Sequence, residues 1–260
     1  MESHETPGTG DLSPRGKPEP TPIPGKPSLC GCFVGTSGEE LASALNLKGL
    51  ALLEWRLDIF LTARSMEETL QVMELLGESR RLPVLVTNRP VREGGFFTGA
   101  EEERVGILLK AAEAGADWVD LELDVPVETV SRFRDVGPRV LISHHDFSST
   151  PEESVLRKWV EKMASMDPQA LKIVTQAQSP EDCLRILGLI PWVRSELGRS
   201  LIAFCMGPLG SWSRLACLVL GSPWTYVGMP GQAAAANEAF KVILDEPWRI
   251  EKLNHNTRLF

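Results

Sequence analysis

Two of the chain's four histidines stand side by side, His144-His145, in LISHHDFSSTP (residues 141–151), while His4 and His255 lie near the ends. Imidazole is the side chain whose ordinary pKa suits proton transfer near neutral pH, so acid–base work by histidine has to use this pair. A second candidate is Lys172, a lone charge inside the apolar run ALKIVT (170–175). A desolvated amine beside other cations is biased toward its neutral form, which attacks carbonyl carbons. Taken alone, a lysine is more often a solvated charge than a nucleophile, so Lys172 acquires meaning only from its company.

That company is a set of charges where a core should be. Glu54, Arg56 and Asp58 alternate in ALLEWRLD, Thr87 and Arg89 in VLVTNR, and Asp120, Glu122 and Asp124 in WVDLELD. Residues two apart on a strand share a face, and burying an unpaired charge costs on the order of several kcal/mol. Two explanations stay open: mutual ion pairs that plug a barrel, or a polar pocket at its mouth. The histidine pair is open too. Ser143 shares one face and Ile142 the other, so alternation alone does not choose between His144 and His145.

The elements that must carry these residues alternate. Apolar runs predict strands at Leu29–Gly35, Leu50–Asp58, Pro83–Asn88, Trp118–Asp124, Arg139–His144, Ala170–Thr175, Ser200–Met206 and Thr225–Gly228. Helical patterns follow each of them, at about 38–47, 65–80, 100–115, 126–135, 151–167, 179–195, 211–221 and 231–244. Thr150-Pro151 and Ser179-Pro180 read as caps with proline at the first helical position, and Gly115 as a helix stop. Eight such units predict an α/β fold, a (β/α)8 TIM barrel, over an open doubly wound sheet. No Gly-x-Gly-x-x-Gly follows an early strand, which weakens the nucleotide-binding alternative.

At 260 residues, 43% hydrophobic and 24% charged, the chain is of a size and texture for one sizeable core. Residues 1–27, dense in proline and poor in large apolar side chains, are expected to be a disordered tail, with 28–260 forming a single barrel domain. A net charge of −8 argues against nucleic acid or an anionic membrane as partner, and no apolar run is long enough to span a bilayer. Cys30, Cys32, Cys183, Cys205 and Cys217 are an odd number set mostly in apolar runs, as free thiols in a reducing compartment would be. Their spacing predicts no metal site.

The motifs EWRLD (54–58), TNRPVREGG (87–95), GADWVDLEL (115–123), SHHDFSSTP (143–151), LKI (171–173), MGPLGSWSRL (206–215) and PGQ (230–232) occur in that order. Together they resemble the type I 3-dehydroquinate dehydratases, Schiff-base barrel enzymes of the shikimate pathway. The resemblance spans about residues 28–242 and implies a cytoplasmic, homodimeric hydro-lyase that acts on 3-dehydroquinate without a cofactor. By it, Lys172 forms the imine, His145 is the general acid and base, and Glu93 orients that histidine. Arg214 then holds the substrate carboxylate, Glu54, Arg56 and Arg89 surround the ring hydroxyls, Met206 packs in the pocket, and Gln232 belongs to a closing loop. One departure stands out: where the family has Ser-Ala-Pro-Gly-Gln, this chain has Gly228-Met229-Pro230-Gly231-Gln232. The missing serine implies weaker binding or a faster lid, with the chemistry kept. The competing readings are a non-catalytic, dehydratase-like sensor and an aldolase-type Schiff-base barrel.

Overall fold

The computed structural model of the chain describes residues 28–229. The expected tail, the helix expected at 231–244 and Gln232 lie outside the described residues. In chain order the elements are β1 (Leu29–Phe33), α1 (Gly38–Ala44), β2 (Leu52–Arg56), α2 (Leu57–Ala63), α3 (Met66–Met73), β3 (Val84–Thr87), α4 (Glu101–Glu113), β4 (Trp118–Glu122), α5 (Val127–Val136), β5 (Arg139–Asp146), α6 (Glu153–Ser165), β6 (Ala170–Gln176), α7 (Pro180–Trp192), β7 (Leu201–Met206), α8 (Ser213–Val219) and β8 (Thr225–Gly228). All eight expected strands form.

They pair in parallel in the order β7-β6-β5-β4-β3-β2-β1-β8 and curl into a nearly closed barrel. The seam between β7 and β8 is bridged by side chains. Just before β8, the Ser222 hydroxyl donates to the Leu201 carbonyl of β7 at 2.8 Å. Higher in the barrel, the rings of Phe204 and Tyr226 approach with centroids 6.2 Å apart. The strands are buried on both faces because helices cover the outside and side chains fill the lumen.

Several boundaries depart from the sequence reading, and three of them redirect a polar side chain. The strand expected to run to Asp58 stops at Arg56, and Leu57 opens a helix whose first turn carries Asp58. Asp58 therefore leaves the face of Glu54 and turns back on its neighbour. It accepts from Arg56 Nε at 2.8 Å and Nη2 at 2.7 Å. On β4 only Asp120 and Glu122 point inward, whereas Asp124 lies past the strand end and pairs with the exposed Arg92. The helix expected from Pro151 begins at Glu153, so Thr150 is free to bond Thr175 and the Gln176 carbonyl of β6. Ser179-Pro180 and Gly115 behave as expected, with proline at the first position of α7 and φ +113° at the stop after α4.

Candidate active site

The inward charges of β2, β4 and β6, with Arg89 just past β3, converge at one cavity of about 740 Å³ at the C-terminal mouth of the barrel. Both sequence explanations hold at different depths. Deep in the barrel the charges pair with one another. Arg89, just past β3, donates through Nη1 to Glu122 Oε1 at 2.7 Å and to the Ser143 hydroxyl at 2.8 Å, and through Nη2 to Asp120 Oδ2 at 2.6 Å. From the helical side Arg104 of α4, fully buried, brings Nη2 to 2.7 Å from Glu122 Oε2, an ion-pair contact at an angle unsuited to a hydrogen bond. Its Nη1 also donates to the Asn88 carbonyl at 3.0 Å.

Burial pushes the Asp120 carboxyl up, but Arg89, then Lys172 and His145, outweigh it and hold the group below its ordinary value. At Glu122 burial wins over Arg89 and Arg104 and, with Asp120 and Glu93 nearby, lifts the carboxyl to about 7. Two carboxylates this close to the same guanidinium are driven apart in proton affinity.

Above this layer sits Lys172. Its Nζ is 3.6 Å from Asp120 Oδ2, 4.0 Å from Glu54 Oε1 and 4.1 Å from the centroid of the Tyr226 ring. The sequence reading placed other cations beside it; the nearest charges are carboxylates and the ring face is an added cation acceptor. Glu54 is fixed in turn by the Thr87 hydroxyl at 2.8 Å. Burial raises the Glu54 carboxyl, but Lys172 and Arg56 bring it below the usual range. Cys32, at the end of β1, lines the same wall, and burial together with Glu54 pushes its thiol up.

Register decides which histidine faces the cavity. β5 continues to Asp146 without a break, and Ser143 pairs with Lys172 and faces Asp120 inside the barrel. His145, two residues on, shares that face and lines the cavity, while His144 points out against Trp159 of α6 with ring centroids 4.5 Å apart. Directly after His145 the chain turns. Asp146 Oδ1 accepts from Ser148 N at 2.8 Å and Ser149 N at 3.0 Å, and Phe147 lays its ring at 21° to the imidazole.

Glu93 reaches the pair from a single 3₁₀ turn, Val91–Glu93, that follows Pro90. Its Oε2 is 2.9 Å from His145 Nδ1. Burial pushes the Glu93 carboxyl up, but bonds from His144 and His145, and the charges of His145 and Arg89, hold it well below the carboxylate range. Burial, then Arg89, pushes the His145 imidazole down to about 4, with Lys172 adding to this and the Glu93 bond opposing it. An ionised carboxylate only accepts, so Nδ1 carries the hydrogen and Nε2 is left as the basic lone pair.

The turn depends on its glycines. Gly94 adopts φ +74°, and a β-carbon on Gly95 would overlap the Arg89 backbone. We predict that Gly95→Ala lowers kcat/KM about 100-fold, because displacing Arg89 and Glu93 by an ångström misplaces the imidazole. Steady-state kinetics on folded protein checks this.

Opposite the histidine, Arg214 stands in α8 with its guanidinium 4.4 Å from the Phe204 ring centroid. No carboxylate among the described residues lies in ion-pair range of it, and burial alone lowers its pKa. Met206 and Arg56 complete the rim. Thus Lys172, His145, Glu93, Glu54, Arg56, Arg89, Met206 and Arg214 all border one cavity. Sequence reasoning missed Tyr226, Phe204, Cys32 and Arg104. Inward parity on β1, β7 and β8 could have found the first three; nothing in its own helix marks Arg104.

A family profile described as type I 3-dehydroquinase matches residues 30–243. The chain is 47% identical over 217 residues to a 3-dehydroquinate dehydratase of Syntrophobacter fumaroxidans, an alignment covering 82% of this chain and 92% of that one. It is 36% identical over 200 residues to the enzyme of that name from Dehalococcoides mccartyi, covering 76% and 84%. Among solved structures, 3-dehydroquinate dehydratase of Geobacillus kaustophilus superposes with a TM-score of 0.75 at 26% identity, covering 84% of this chain and 92% of that one. On its fold, its cavity and these likenesses, the chain belongs to the type I 3-dehydroquinase family.

Proposed function

We propose that the chain is a hydro-lyase that converts 3-dehydroquinate to 3-dehydroshikimate and water through an imine on Lys172. The observation that carries this reading is one cavity in which an amine, a carboxylate-held imidazole and a guanidinium without a carboxylate partner among the described residues face each other. Lys172 Nζ adds to the ring ketone, and the carbonyl oxygen departs as water, leaving a protonated imine. The α C–H bond then breaks: its proton goes to His145 Nε2 and its electrons into an enamine stabilised by the imine. The β-hydroxyl takes that proton back and leaves as water, the new double bond conjugates with the imine, and hydrolysis frees Lys172.

Arg214 grips the carboxylate in a bidentate fork, which also places the leaving hydroxyl on the same ring carbon. Arg56, held at its back by Asp58, and Glu54 serve the other hydroxyls. Arg89 borders the cavity with its donors committed to Asp120, Glu122 and Ser143, so its part is to hold the carboxylates in place. Residues 28–260 are read as one barrel domain and 1–27 as a tail. On the family likeness the enzyme is a cytoplasmic homodimer, and sedimentation checks the dimer. No helix among the described residues is long and apolar enough to cross a membrane.

The deciding experiment is incubation with 3-dehydroquinate while following the ultraviolet absorbance of the conjugated product. Turnover supports the enzyme; binding with no product would favour the sensor. His145→Ala is expected to lower kcat by at least about 1,000-fold. Because protonation removes the base and burial depresses His145, the acid limb of kcat/KM is expected below 6.5, toward about 4. A limb at or above 6.5 contradicts this.

A further inference from the structure

Glu93 serves two imidazoles at once. Its Oε1 is 2.9 Å from His144 Nδ1 and its Oε2 2.9 Å from His145 Nδ1, while the His145 backbone N–H also donates to Oε2 at 3.1 Å. The carboxylate straddles the end of β5, so the two rings bond it although they leave the strand on opposite faces. His144 does not reach the substrate cavity. It borders a second cavity of about 440 Å³, with Arg92, Asp124, Trp159 and Lys162, that Glu93 and His145 also line.

We propose that His144 is a positioning residue: by donating its Nδ1–H to Glu93 Oε1 it pins the carboxylate against His145 and shares its charge, so His145 starts each cycle as a neutral base. The inference rests on His145 being that base.

The terminal torsion of a glutamate is broad, so bonds to one oxygen alone leave the carboxylate free to swing about that oxygen. Donors on both oxygens remove that freedom, and only Nδ1–H groups can meet an ionised carboxylate from these rings. A carboxylate committed to one imidazole favours its protonation; a second N–H on the same carboxylate weakens that pull. His144 therefore opposes the protonation that Glu93 would otherwise impose.

The other charges around the pair are accounted for. Arg89, Lys172 and Asp120 act on His145 along with Glu93. Around His144 stand Asp146, Arg92, Asp124 and Lys162. Of these, Asp146 is bound in its own turn and Asp124 by Arg92, so Glu93 alone among the described carboxylates bonds both rings.

The test compares wild type, His144→Phe, His144→Asn and His145→Ala. Phenylalanine keeps a ring against Trp159 and removes the N–H, while the asparagine amide restores an N–H near the Nδ1 position. His144→Phe is expected to raise the acid-limb pKa of kcat/KM by about one unit and to lower kcat about tenfold with KM within about twofold. His144→Asn is expected to keep the wild-type limb. Nitrogen-15 NMR titration of the resting enzyme should show His145 as the neutral Nδ1–H tautomer in wild type and His144→Asn, and a larger imidazolium fraction at the same pH in His144→Phe. An unmoved limb in His144→Phe, or an equal shift in both variants, overturns the proposal. Turnover surviving in His145→Ala overturns instead the underlying assignment of the base.

Discussion

Lys172→Ala is expected to lower turnover of 3-dehydroquinate by on the order of 10⁵-fold or more, the scale seen when a covalent nucleophile is lost. Without the imine, the α-proton must leave a plain ketone, whose carbanion has no cationic sink. The barrel should survive the change. Asp120 keeps Arg89 and the Ser143 hydroxyl, and Glu54 keeps Thr87, so neither carboxylate is stranded. Borohydride added with substrate should reduce the imine to a stable secondary amine, and mass spectrometry should find it on the peptide carrying Lys172. An adduct elsewhere, or wild-type turnover by Lys172→Ala, contradicts the mechanism.

The second large effect is expected at Arg214. Hydrogen bonds to a charged group contribute about 1.5–3 kcal/mol, so Arg214→Leu should raise KM by roughly 10- to 150-fold. Its guanidinium has no carboxylate partner among the described residues, so the change costs the fold little and the loss appears in substrate handling. Arg214→Lys should recover only part, because an ammonium is a point charge without the planar fork. A KM unchanged in Arg214→Leu places the substrate carboxylate elsewhere.

Much of this site was legible before any coordinates. Lys172 showed itself as a charge in an otherwise apolar strand, and Glu54, Asp120 and Glu122 by their spacing of two. What escaped was set by neighbours distant in sequence. Arg104 looks like one more charged residue on a solvated helix; it is buried because Glu122 and the Asn88 carbonyl wait beneath α4. The choice between His144 and His145 turned on which way Ser143 faces, which depends on Asp120 and Arg89 arriving from two other strands. Asp58 matched the alternation of β2, yet the chain had already become helical, because a bidentate bond back to Arg56 is available from the first turn. Gln232 and the helix beyond it lie outside the described residues, so the missing serine of the closing loop keeps its status as a sequence observation.

The seam between β7 and β8 has a meaning beyond closing the ring. Phe204 carries Arg214 on its face and meets Tyr226, whose own face carries Lys172. The two groups that would grasp the carboxylate and the ketone of the substrate are thus mounted on adjoining aromatic plates. Such a mounting would act as a caliper, with the gap between carboxylate and ketone set by where the two rings hold the cations. Keto acids with one carbon more or fewer between those groups should engage one jaw and miss the other.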